Sequence, residues 1–139
     1  MERTMDSEEL YAELKTYFPN NLDLMRHLHV DACWEYVITE NSTNEKNAKL
    51  TYFLYKKDEN NLEMTKEDPK IKPDLILYFT EKAILNFIQG NPSADEYYVR
   101  YHEVMDNPQP GIEVDSLVNK PRLMLWKIGY RKWQKDFKF

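Results

Sequence analysis

The chain is expected to fold as a single α+β domain, one layer of mostly antiparallel five-stranded sheet with helices packed on one face. Three observations lead there. Apolar residues alternate at period two in several short stretches separated by polar turns. Apolar residues recur at three and four in other stretches bounded by capping residues, glycine or proline. The length of 139 residues suits one domain, over 1–139, and no repeat or low-complexity segment divides it.

Asp6 and Glu9 stand at N-cap and N3 spacing, and Leu10, Leu14 and Phe18 form the apolar stripe of a first helix over 6–18, which Pro19 stops. From Leu22 to Ile38 the even positions are apolar except Arg26, so a first strand is expected from Val30 onward. The start of that stretch, "LDLMRHL", equally fits a helical turn through Leu22, Met25 and Leu28. "ENSTNEKN" is a polar loop, Leu50 to Tyr55 a second strand, "KKDENN" a turn, and Leu62 and Met64 mark a third strand. Leu75, Leu77 and Phe79 alternate on a fourth. Thr80 then caps a helix from about Glu81 to Gln89, with Gly90 in its left-handed closing position. Ser93 and Glu96 have capping-box spacing for a helix over Ala94 to Asp106, and Ile112 and Val114 fit a short fifth strand. Pro121 suits the first turn of a last helix with Leu123, Trp126, Tyr130, Trp133 and Phe137 on one stripe.

Composition excludes several classes. No apolar run approaches the ~20 residues of a membrane span, "MERTMDSEEL" does not read as a signal peptide, and the single Cys33 fits a reducing compartment. The expected location is cytoplasmic, with no nucleic-acid partner. Charge is uneven: residues 119–139 carry a net +6 against −5 for the whole chain, so the remainder is −11. That asymmetry points to a partner for the basic end or to an acidic face that it covers. Lys120, Lys127, Arg131, Lys135 and Lys138 form a basic row beside the Trp- and Tyr-bearing stripe, which suits transient contact of 120–138 with an anionic membrane surface.

Chemical motifs are sparse. His27, His29, Asp31, Cys33 and Glu35 would share one face if the whole stretch were strand, and an H-x-H pair can hold zinc. The polar row of a half-buried strand explains them as well, so no stoichiometric metal is expected. No serine sits in a nucleophile elbow, no glycine-rich phosphate loop exists, and no carboxylate pair is marked out. No catalytic residue and no cofactor is expected. What stands out is aromatic and apolar surface. Ile84, Phe87 and Ile88 share one helix face, and Tyr98, Tyr101 and Met105 another. Packed over the strand face of Leu75, Leu77 and Phe79, they would line a cavity. Tyrosine supplies an apolar body with a hydroxyl, and methionine adapts to varied shapes.

"KPDLILYFTEKAILNFIQGNPSADEYY" resembles the central segment of the sterol carrier protein type 2-like domain family, with its alternating strand, Gly-terminated helix, Pro-containing turn and second helix. "WEYVIT" and "KLTYFLYKKDENNLEM" resemble that family's first strands, and "GIEVDSLVNKPRLMLWKIG" its closing strand and C-terminal helix, so the resemblance spans roughly 30–130. Of the two glycines that usually flank the family's closing strand, only Gly111 is present. The resemblance implies five strands with helices on one face, and an apolar tunnel between them for sterols, fatty acyl chains or other lipids. It implies no catalytic residues. The expected function is a non-enzymatic lipid-binding or lipid-transport domain holding a fatty acyl, isoprenoid or sterol-like ligand. The expected ligand-binding set is Leu77, Phe79, Ile84, Phe87, Ile88, Tyr98, Tyr101, Met105, Leu123 and Trp126. The alternative is an interaction or regulatory domain with a filled core.

Overall fold

The computed structural model describes residues 5–139; the first four residues of the polar N-terminal stretch lie outside it. α1 (Ser7–Lys15) starts at Asp6, whose carboxylate accepts from the Glu9 N–H while the Glu9 carboxylate accepts from the Asp6 N–H. Leu10 and Leu14 are its buried stripe. Two 3-10 turns, Phe18–Asn20 and Leu22–Met25, follow. The helical-turn reading of "LDLMRHL" is therefore the one the chain adopts.

The sheet comprises β1 (Cys33–Thr39), β2 (Leu50–Asp58), β3 (Asn61–Thr65), β4 (Leu75–Thr80) and β5 (Val114–Val118), in the order β3-β2-β1-β4-β5. The α+β class and five strands match the expectation; the expected antiparallel meander does not. β1 and β4 run parallel as the central pair, with Trp34, Tyr36 and Ile38 opposite Leu75, Leu77 and Phe79. The sheet is mixed because residues 66–74 are no hairpin. Pro69 and Pro73 withdraw two ladder donors there, and the Asp74 N–H donates to the Cys33 carbonyl on the far side of β1. Nine extended residues reach roughly 30 Å, ample to cross two strands about 4.8 Å apart. The fifth strand lies later than expected: Ile112 forms only an isolated bridge with Gln109.

α2 (Glu81–Ile88) and α3 (Ala94–Asp106) follow β4. Gly90 has φ 80, as its closing position requires, and the Ser93 hydroxyl accepts from the Glu96 N–H. Thr80 occupies the N-cap of α2, yet its hydroxyl serves the sheet edge, accepting from the Glu113 N–H at 3.1 Å. The single last helix expected from the sequence is two helices, α4 (Arg122–Lys127) and α5 (Tyr130–Phe137). They break at Gly129, φ 107, where a Cβ would overlap the His27 carbonyl.

The core lies against one sheet face. Tyr36 stacks on Tyr52 at 4.6 Å and on Phe79 at 5.7 Å. Above them sit Phe18, Phe87 of α2 and Tyr101 of α3, and Trp133 of α5 meets Trp34 edge to face. The opposite face carries Glu35, Val37, Phe53, Ile76 and Tyr78, all half-buried, and an exposed Leu117.

Candidate functional site

Where α3 and α5 lean over β1, β4 and β5, the packing leaves a slot of about 130 Å³. Its floor is Trp34, Tyr36, Leu75 and Leu77, its roof Tyr97, Tyr98, Tyr101 and Met105 of α3, and its end wall Trp133 and Phe139. The mouth is marked by Met105, 48% exposed, and Val118, 60% exposed. The slot exists because α3 presents large planar side chains at three- and four-residue spacing, and rings meeting edge to face cannot fill a sheet surface as closely as branched aliphatics do.

Most polar atoms of this region are committed. The Tyr98 hydroxyl and the Trp133 indole N–H both donate to the Leu24 carbonyl, at 2.8 and 2.9 Å. The Trp34 indole N–H donates to the Tyr130 hydroxyl, which donates to Asp74. Tyr36, Tyr97 and Tyr101 differ. They are 1%, 2% and 6% exposed, yet among the described residues their hydroxyls have no hydrogen-bond partner. The one tyrosine hydroxyl among the described residues that is both sealed and unpartnered is that of Tyr52. The three hydroxyls therefore touch open space, and the open space beside these residues is the slot.

Burial pushes the hydroxyls of Tyr36, Tyr97 and Tyr98 well above their ordinary pKa, and raises Tyr101 as well, with the Asp115 carboxylate adding to the shift. They are neutral donors and acceptors, unsuited to proton transfer near neutrality. The same burial has a consequence at high pH. A group whose folded-state pKa is raised contributes fully below its unfolded pKa, about 10 for tyrosine, and less as pH climbs past it. Tyrosine ionisation followed by ultraviolet absorbance is expected to show the buried residues ionising together with cooperative unfolding above pH ~10. Independent ionisation of Tyr36 and Tyr97 in folded protein would contradict it.

The expected ligand-binding residues divide. Leu77, Tyr98, Tyr101 and Met105 line the slot. Phe79, Ile84 and Phe87 are solid core behind it. Ile88 lies with Leu85 in a separate open groove of about 1270 Å³ between α1, α2 and the β1–β2 loop, with Glu13, Glu40, Glu81 and Lys82 also on its walls. Leu123, 70% exposed, and Trp126 stand at the surface on α4, with the guanidinium groups of Arg122 and Arg131 at 5.9 and 5.1 Å from the Trp126 ring centre. The stripe that is continuous in sequence thus splits at Gly129: Tyr130, Trp133 and Phe137 are buried while Leu123 and Trp126 are not. The basic row loses Lys120, which pairs with the fully buried Asp74. Sequence patterning does not single out Trp34, Tyr36 or Phe139, and it marks Tyr97 only as one of the tyrosines that follow Gly90. Tyr36 and Trp34 sit at ordinary core positions of an alternating strand, and only the adjacency of Tyr97 to Tyr98 offers a signal.

Other chemical candidates are occupied. His27 and Asp31 have positive φ, 76 and 73, in loop ahead of β1, so the histidine row has no common strand face. The His27 ring lies 3.0 Å from Asp136, and no group of three or more His, Cys, Asp or Glu side chains among the described residues could hold a metal ion. Burial, reinforced by Asp74, pushes the Cys33 thiol up to about 12, leaving no thiolate for nucleophilic work. No helix among the described residues is long and apolar enough to cross a membrane. No family model and no curated protein matches the chain.

Proposed function

We infer that the domain is a non-enzymatic carrier or store of an apolar ligand, held with one end in the slot between the sheet and α3 and α5. The slot carries the reading: apolar and aromatic walls around three deeply buried hydroxyls that the protein leaves unused. Five strands with a helical layer on one face are also what the resemblance to the sterol carrier protein type 2-like family implies. At about 130 Å³ the slot is close to the ~150 Å³ cavity that holds a benzene ring and below the ~300–1,000 Å³ of usual ligand pockets. A long-chain ligand therefore inserts its end and lays the rest along Met105, Val118 and Phe139, each square ångström of apolar surface covered contributing about 25 cal/mol. The setting assumed is cytoplasmic. Native mass spectrometry of freshly purified protein, with displacement of a fluorescent fatty acid, tests the reading. Bound apolar mass or saturable micromolar binding is expected; apo mass alone together with no saturable binding overturns it.

Loading requires a meeting with membrane, and α4 has the means. Leu123, Met124 and Trp126 are exposed beside Arg122, Lys127 and Arg131, none of them ion-paired among the described residues. A short apolar wedge flanked by cations suits an anionic interface, each cation contributing about 1 kcal/mol near the surface. Anionic vesicles are expected to sediment the protein at low salt, and Lys127→Glu with Arg131→Glu to abolish this; sedimentation that survives charge reversal sinks the membrane reading.

One observation favours the alternative of an interaction domain. On the sheet face opposite the helices, Glu35 lies half-buried among Phe53, Ile76 and Val37, its carboxyl pKa raised by burial, with no partner among the described residues. A protein surface bringing a cation to that point would use both features.

A further inference from the structure

The slot also limits the kind of ligand end that can enter it, an inference that rests on the carrier reading above. The lining contains no lysine, arginine, histidine, aspartate or glutamate. Its polar groups are tyrosine hydroxyls, with Ser116 and Gln134 exposed towards the mouth. Tyr36, Tyr97 and Tyr101 line the same slot. Two cations approach the neighbouring rings. Arg26 acts on Tyr98, but it is committed to Asp95 and Asp136, and the Tyr98 hydroxyl is taken by the Leu24 carbonyl. Arg100 acts on Tyr17 outside the slot, and it is held by three carbonyls at the end of α2, those of Asn86, Phe87 and Gln89.

An ionised head group placed there would shed its hydration and find no counter-charge in the lining. An uncharged hydroxyl or carbonyl would find three hydroxyls able to donate or accept a hydrogen bond, groups that otherwise have no partner within the protein. We propose that the slot selects the neutral polar end of an apolar molecule, an alcohol, ketone or ester, and rejects a carboxylate. An anionic lipid binds only tail first, with its head group outside the mouth.

Titration calorimetry with 1-octanol, octanoate and toluene tests this on the full chain at neutral pH. Octanol is expected to bind saturably, and octanoate at least about tenfold more weakly. Tyr36→Phe and Tyr101→Phe, which keep the ring and remove the hydroxyl, are each expected to weaken octanol by about two- to tenfold, the worth of one hydrogen bond, and to leave toluene unchanged. Octanoate binding within tenfold of octanol, or octanol binding that both phenylalanine variants leave untouched, overturns the selectivity while the carrier reading stands. Failure of all three probes to bind removes the carrier reading and this inference with it.

Discussion

Asp74→Ala is expected to lower the unfolding free energy by about 3–5 kcal/mol, the usual cost of removing one partner from a buried ion pair. Asp74 is fully buried at the entry to β4 and serves three elements together. One carboxylate oxygen accepts from the Cys33 N–H of β1 at 3.1 Å and from the Tyr130 hydroxyl of α5 at 2.7 Å. The other meets the Lys120 ammonium between β5 and α4. Alanine leaves that ammonium, 16% exposed, without its counter-ion, and strands the Tyr130 hydroxyl that supports the Trp34 indole. Asp74→Asn keeps an acceptor for Cys33 and Tyr130 but loses the charge, so its cost is expected to fall between wild type and alanine. Urea denaturation monitored by tryptophan fluorescence reads both. A loss under about 1 kcal/mol for the alanine variant would mean that Lys120 escapes to water and that the node contributes little.

Gly129→Ala is expected to cost about 3 kcal/mol or more, for two reasons that add. Its φ of 107 lies where an L side chain is strained, on the order of 1–3 kcal/mol. The new Cβ would also overlap backbone, the His27 carbonyl, which cannot swing aside as a flexible side chain would. The contact belongs to a fixed junction, since the His29 N–H donates to the neighbouring Ile128 carbonyl at 3.0 Å. Gly90→Ala is the control. Gly90 has φ 80, but a Cβ at that position would meet nothing within 4 Å, so the substitution is expected to cost only about 1 kcal/mol. Equal losses at the two glycines would show that backbone strain alone, without the overlap, sets the effect at Gly129.

Features fixed by near neighbours in the chain are legible in the sequence. The Asp6–Glu9 box, the Ser93 cap and the left-handed Gly90 each depend on a few consecutive residues, and the chain forms all three as expected. The direction of β4 is not legible. Leu75, Leu77 and Phe79 alternate identically whether their neighbour runs parallel or antiparallel, so period two reveals a face and not a partner. The split of the last helix is hidden because Leu123, Trp126, Tyr130, Trp133 and Phe137 keep helical spacing across Gly129, and spacing cannot say which part of a stripe meets the sheet. Alternation misleads over His27 and Asp31, whose positive φ values take the chain out of any strand. For the site, the α3 tyrosines and Met105 are visible as an aromatic excess. Which hydroxyls are spent and which are free is not, because the acceptor that occupies Tyr98 comes from Leu24, far back in the chain.

The parallel pairing of β1 with β4 also sets an order of events. β1, β2 and β3 are joined by local turns and can zip as a three-stranded meander, closing only short loops. The ladder from Trp34 and Leu75 to Thr39 and Thr80 waits for the whole of that meander and residues 66–74 to come round, and loop-closure entropy is spent before any of its contacts forms. Until then one side of "WEYVIT" is an unpaired edge of aromatic and β-branched residues. The centre of the finished sheet is thus the last part of it to be protected, and crowding or slow synthesis through residues 66–80 bears first on the aggregation of the half-made domain rather than on the stability of the complete one.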